Sequence, residues 1–222
     1  MNDWVRGICR GAAICLLGLS VSACGGGSDG DDDRPGPNTG GGAAVVPDLT
    51  SQFEAMQTRL SAGNVFNTAF LPPDNAIPTS GTATFTGFAN VNVTQAGAPL
   101  VLTGPATVRI DFDTRNLTGS ATGFSGVEGS AVAAYSGTVA FENGRIGRDQ
   151  PVPTTQQPND VRLGYTGVLT GDGNTVGLGD SAEGKLKGSP IRGLVAHSGA
   201  GETATLNGAP APAAFTLVAE RD

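Results

Sequence analysis

The spacing of apolar positions changes twice along this chain, and each change marks a different kind of segment. Gly11 to Val21 form a nearly unbroken apolar run with no period. Gly25 to Pro47 hold almost nothing apolar until their last few residues. Leu49, Phe53, Met56 and Leu60 then recur at spacings of 4, 3 and 4, which puts them on one face of a helix running from Leu49 to Ala62. Ser51-Gln52-Phe53-Glu54 fits a capping box, and Gly63 stands where a C-terminal glycine ends a helix. Such an amphipathic helix is expected to lie on its own domain, plugging or covering one end.

From Thr79 the period becomes two. Thr82, Thr84 and Thr86 alternate with Ala83, Phe85 and Gly87. Val108, Ile110 and Phe112 alternate with Arg109, Asp111 and Asp113, the pattern of a half-buried strand. Asn116-Leu117-Thr118-Gly119 opens a run through Phe124, and Ala133, Tyr135, Val139 and Phe141 share a face in the next. Glu142-Asn143-Gly144-Arg145 reads as a turn, since Asn-Gly is the strongest short hairpin signal. Gln150 to Pro158 is a proline-rich loop. Leu163, Tyr165, Gly167 and Leu169 begin another strand that ends at the turn Gly171-Asp172-Gly173-Asn174. Short strands are expected around Leu186 and over Ile191 to Val195, with Gly188-Ser189-Pro190 between them, and Phe215 to Ala219 form the last. The count is about eight. An even number of short antiparallel strands with many small residues predicts an all-β fold: an eight-stranded up-and-down β-barrel preceded by one short amphipathic helix. Arg109, Asp111, Asp113 and Arg162 would face hydrocarbon in a membrane-spanning barrel, so a water-facing exterior is expected.

The first apolar run has its own meaning. Arg6 and Arg10 precede it, and Leu19-Ser20-Val21-Ser22-Ala23-Cys24 ends it. Its roughly eleven residues suit a secretory signal and fall short of the ~20 that a spanning helix needs. The final residues resemble a bacterial lipobox, which implies cleavage before Cys24 and acylation of that cysteine. Two or more acyl chains anchor a protein stably. Gly25, rather than aspartate, follows the cysteine, which favours sorting to the outer membrane. The acidic, glycine-rich stretch behind it cannot order itself by apolar burial. As a coil it spans about 25–29 Å, from ~5–6 Å times the square root of its length. Asp31-Asp32-Asp33 is read as part of this solvated tether and not as a calcium site.

Four segments follow: a signal peptide over residues 1–23, a lipidated tether over 24–47, a helix and connection over 48–78, and a barrel over 79–222.

Composition narrows the chemistry. The chain has 35 glycines and 14 prolines in 222 residues, which favours short strands and tight turns. Its cysteines are Cys9, Cys15 and Cys24. Two leave with the signal and the third carries lipid, so no thiol remains for disulfides, metal or nucleophilic work. Losing two cations and one anion with the leader takes the net charge from −7 to −8. An acidic chain without a basic cluster argues against nucleic acid.

A repeated aromatic-x-glycine pattern appears at Phe85-Thr86-Gly87, Tyr135-Ser136-Gly137 and Tyr165-Thr166-Gly167, with Leu186-Lys187-Gly188 as a weaker fourth copy. It places a large inward side chain two residues before a point where the wall bends or backbones approach closely. These stretches, with Pro78 to Gly87, Val108 to Asp113, Leu117-Thr118-Gly119 and Leu169-Thr170-Gly171, resemble the barrel domain of transferrin-binding protein B-like surface lipoproteins. The resemblance covers roughly residues 79 to 222. It implies an eight-stranded barrel displayed on the outer membrane, binding a host iron protein, a haem-carrying protein or another partner. Against that family one barrel is expected here, without the second lobe of its large bilobed members, and no binding residue carries over.

Catalytic sets are hard to assemble from what is left. His197 is the sole histidine of the chain, and its neighbour Ser198 would point to the opposite strand face. Asp111 and Asp113 share a face at roughly 7 Å by strand geometry and suit a solubilising exterior. Asp172-Gly173-Asn174 with Asp180 has a faint calcium-loop flavour, but a type I′ hairpin explains Asp-Gly without an ion. Tyr135 and Tyr165 are the residue types a haem would take, yet both fit an inward face. The expectation is therefore a monomeric, non-enzymatic outer-membrane lipoprotein without a cofactor. It would be anchored through Cys24, sit at the cell surface, and bind a protein or haem-type ligand through its loops. The alternative is a periplasm-facing lipoprotein that carries a small apolar ligand or supports the envelope.

Overall fold

The computed structural model describes residues 46–61, 77–147, 158–199 and 203–221. All lie in the compact unit Ala44–Asp222. The lipobox, most of the tether and most of the proline-rich loop fall outside the described residues.

Helix α1 (Thr50–Ser61) precedes nine strands: β1 (Thr82–Val93), β2 (Leu100–Asp111), β3 (Asn116–Glu128), β4 (Ala131–Ile146), β5 (Asp160–Gly171), β6 (Asn174–Lys187), β7 (Gly193–Ser198), β8 (Thr203–Leu206) and β9 (Ala209–Arg221). Each strand pairs antiparallel with the next along β1 to β7, and β9 pairs back onto β1 from Phe85↔Arg221 to Val93↔Ala213. The sheet is thus a closed barrel. Strands β7 and β8 share one stave. β7 lies between Ala182–Lys187 of β6 and Thr216–Glu220 of β9, while β8 takes up Val176 and Gly177 of β6 and Ala209–Pro212 of β9. Nine strands therefore make eight staves, the architecture expected from the alternation.

Closure turns one face of every strand inward, and the apolar residues follow it. Phe85, Phe124, Phe141 and Phe215 are at most 2% exposed, and Tyr135 and Tyr165 are 3% and 6% exposed. Tyr165 stacks on Phe215 with centroids 4.1 Å apart, and Phe141 meets the same ring edge-on at 6.1 Å. The aromatic-x-glycine pattern works as its composition suggests in its first three copies. A Cβ on Gly87 would stand 2.1 Å from the Val218 carbonyl oxygen of β9, and one on Gly167 2.3 Å from that of Thr138 on β4. At Gly137 the contact would be 2.1 Å, and the backbone is left-handed as well, with φ of 124°. The fourth copy differs: Gly188 has φ of 88° and belongs to the turn after β6.

Three local expectations need correction. Asn143-Gly144 is no hairpin turn. It lies inside β4 as a bulge, with Asn143 at φ 53° and the register shifting against both β3 and β5. Asn-Gly tolerates positive φ in either setting, and the ladder on both sides chose the bulge. The helix cap is also displaced. Asp48 Oδ1 accepts the Thr50 N–H at 2.9 Å, and Ser51 is already an exposed residue of the first turn. Finally, β6 is one long strand through Leu186, and β8 with its Asn207-Gly208 turn was not legible. Glycines at 177, 179 and 184 erase the alternation in the first case, and brevity hides the second.

The helix packs on the outer wall, not at an end. Phe53, Met56 and Leu60 cover the outward side chains Phe88 of β1, Val195 of β7 and Val218 of β9. Leu60 is fully buried and fills the notch at Gly193, where a Cβ would be 2.3 Å from Leu60 Cδ2. Arg59 Nε and Nη2 donate to the two Glu220 carboxylate oxygens, each at 3.0 Å. Elsewhere Thr84, Arg109, Arg162 and Glu183 are exposed on the wall, side chains that hydrocarbon would disfavour.

The close-approach glycines define a test. Gly87→Ala and Gly167→Ala should each lower stability by about 1–3 kcal/mol, as overpacking does. Gly179→Ala, whose Cβ meets nothing within 4 Å, should change it by less than about 0.5 kcal/mol. Urea midpoints of the three variants decide this, and equal shifts would refute the close-approach account.

Candidate functional site: a charged cleft on the outer wall

The bulge in β4 has a consequence for side-chain direction. Val139 and Phe141 point inward, so plain alternation would send Arg145 inward too. The extra residue at Asn143-Gly144 switches the parity. Ile146 becomes the inward residue, 3% exposed, and Arg145 is turned out.

Register then lines up one row across four strands. Arg145 of β4 faces Arg162 of β5, Arg162 faces Glu183 of β6, and Glu183 faces His197 of β7. Adjacent strands are about 4.7–4.9 Å apart, so these side chains are immediate neighbours. The next row pairs Asp160 with Lys185. Together the two rows, with Gly147 at one side, line a cleft of about 320 Å³.

Ion pairs order the cleft walls. Arg162 Nε and Nη2 both donate to Glu183 Oε1, at 3.0 and 2.5 Å. Lys185 Nζ donates to Asp160 Oδ1. The Arg162–Glu183 side chains are 58% and 66% exposed, so the pair contributes at most about 1 kcal/mol to stability. Its effect is orientation. Arg115 belongs to a separate small cleft with Ile77, Pro78, Thr79, Ile146 and Pro158, although its Nη1 lies 3.2 Å from where Gly147 would carry a Cβ.

The residues singled out in the sequence do not converge. His197 is exposed and lines the cleft, while Ser198 is held elsewhere: its Oγ accepts the Phe215 N–H at 2.8 Å. The two do point to opposite faces. Asp111 and Asp113 serve separate contacts. Asp111 Oδ1 accepts the Thr114 N–H at 3.0 Å, and Asp113 Oδ2 accepts the Gly81 N–H at 2.8 Å. Asp172 and Gly173 have φ of 48° and 74°, as a type I′ hairpin requires. Asp180 lies opposite Tyr165, six residues beyond Asn174 and so about 20 Å along the strand. Asn174 instead bonds within the structure: its Nδ2 donates to Tyr135 Oη at 3.4 Å, and its Oδ1 accepts from Asn207 Nδ2 at 3.0 Å. Tyr135 and Tyr165 are interior residues, and burial pushes the Tyr135 phenol up.

Sequence reasoning missed Arg145, Asp160, Glu183 and Lys185. A signal was present: Asp160-Val161-Arg162 and Glu183-Gly184-Lys185 have the same charge order, acid then base, and antiparallel pairing sets the acid of each against the base of the other. It required knowing that the two segments are neighbours.

No family model matches this chain, and no curated protein matches it. Among solved structures, the chain is similar to a double mutant of the vaccine antigen transferrin-binding protein B from Haemophilus parasuis. The identity is 14%, the TM-score 0.43, and the match covers 68% of this chain and 28% of that one. This chain thus spans under a third of that protein. The barrel assignment rests on the strand pairings above, not on this likeness.

Asp111 lends itself to a pH test. Its hydrogen bond from the Thr114 N–H holds the carboxyl below the ordinary carboxylate range. A lowered folded-state pKa adds stability above the unfolded value of about 3.9 and loses it as the pH falls through the folded value. Denaturation midpoints of the parent and of Asp111→Asn should therefore converge on acidification. A gap that stays constant to the acid end would contradict this role.

Proposed function

We propose that this protein is a non-enzymatic lipoprotein, anchored in the outer membrane through acylated Cys24 and presented at the cell surface. Its barrel binds a protein or a haem- or iron-related ligand from its exterior. The observation that carries this reading is the filled interior. Phe85, Phe124, Phe141, Phe215, Tyr135 and Tyr165 all belong to one buried cluster where a carrier barrel would hold its cargo. A small apolar ligand inside the barrel, as the alternative reading requires, would compete with these rings. Contact with a partner is therefore assigned to the turns and the outer wall. The lipobox ending at Cys24 and the glycine- and aspartate-rich tether support the anchor and its reach. A charged, threonine-rich wall supports a body that stands in water.

The test has two parts. Cys24→Ser should abolish metabolic labelling by palmitate and move the protein from the membrane to the soluble fraction. Protease added to intact cells should remove the parent protein's body. Resistance that persists until the outer membrane is broken would sink the surface reading and leave a periplasm-facing lipoprotein.

A further inference from the structure

The outer-wall cleft contains an arrangement that folding alone does not explain. Arg145 and Arg162 stand directly opposite on neighbouring strands, both turned outward. Like charges in that position destabilise a sheet. The chain as a whole is acidic, so a crowding of cations here runs against its composition. The two carboxylates of the cleft face other cations: Glu183 holds Arg162 and Asp160 holds Lys185. Among the described residues Arg145 has no ion-pair partner. Among the described residues that line the cleft, the three cations Arg145, Arg162 and Lys185 meet two carboxylates, and Arg145 is the cation left over from the two ion pairs.

We propose that this cleft is a binding site for an oxyanion, a carboxylate or phosphate group on a small ligand or sugar, clamped between Arg145 and Arg162. A guanidinium presents a planar fork that matches either group with two parallel hydrogen bonds. Glu183 fixes the plane of Arg162 through Nε and Nη2. The β4 bulge aims Arg145 at the same space. Lys185 and His197 flank the seat, and 320 Å³ admits a charged group with part of the molecule that bears it. An anion placed there relieves the repulsion of the arginine pair, so binding and stability are coupled.

This inference rests on the barrel binding from its exterior, and it is tested on purified protein, so it can fail while the cell-surface experiment succeeds, and the reverse. The full chain in detergent micelles is melted by circular dichroism in sodium phosphate, sodium acetate and sodium chloride at matched ionic strength. Phosphate or acetate should raise the melting temperature saturably above chloride. Arg145→Gln and Arg162→Gln should each weaken the apparent affinity about tenfold or more, the scale of a lost charged hydrogen bond. Arg109→Gln, on the wall at β2, should leave it unchanged. Both cleft side chains are exposed, and their strand spectra should match the parent. The two salts separate the sources: a response to phosphate alone points to a phosphorylated ligand, and one to acetate alone points to an acidic sugar or peptide. Identical melting in all three salts, or unaltered affinity in both arginine variants, overturns the site.

Discussion

Pairing of the first strand with the last governs everything else in this protein. Once β1 bonds to β9, the sheet has no open edge, and each residue is committed to the inside or the outside by its parity. Closing so small a barrel demands sharp curvature. The chain meets it with glycine where neighbouring backbones come within van der Waals range and with aromatic rings that fill the axis. The helix adds a latch on the same seam. Its apolar face covers Phe88, Val195 and Val218, the outward side chains of β1, β7 and β9, and Leu60 sits in the notch left by Gly193.

Parity also explains how a functional surface arises on a wall designed to be inert. Many outward positions are threonine, serine, alanine or glycine. A single inserted residue in β4 reverses direction downstream of Phe141 and brings Arg145 to the surface beside Arg162. The same insertion sends Ile146 into the core, so the apolar packing is preserved while the exterior changes. A bulge thus couples core continuity to surface chemistry without altering strand count.

Legibility followed the strength of the alternation. The runs around Phe85, Ile110, Phe141 and Leu169 could be read because bulky inward residues stand every second position. β6 was harder, since three of its positions are glycine and the alternation fades. β8 has four residues, too few for any period. Asn143-Gly144 carried a correct local message, positive φ, and a wrong global one, because a hairpin and a bulge both accept that backbone. The helix face was read correctly, whereas its seat on the wall depended on Gly193, far away in sequence. Asp48 capped the helix where Ser51 matched the motif, since an acceptor two residues before the first free N–H serves equally well.

By itself the sequence determined the fold class, the inward aromatic positions and the type I′ turn at Asp172-Gly173. These depend on local backbone preference and on period, and both are written in neighbouring residues. Tertiary structure alone decided the split stave of β7 and β8, the parity switch in β4 and the cleft. Each depends on which residues of different strands face one another. Arg145, Arg162, Glu183 and His197 are spread over 53 positions of the chain and become one row only through register. Register is set by the closure of the whole barrel, and no short stretch of sequence contains it.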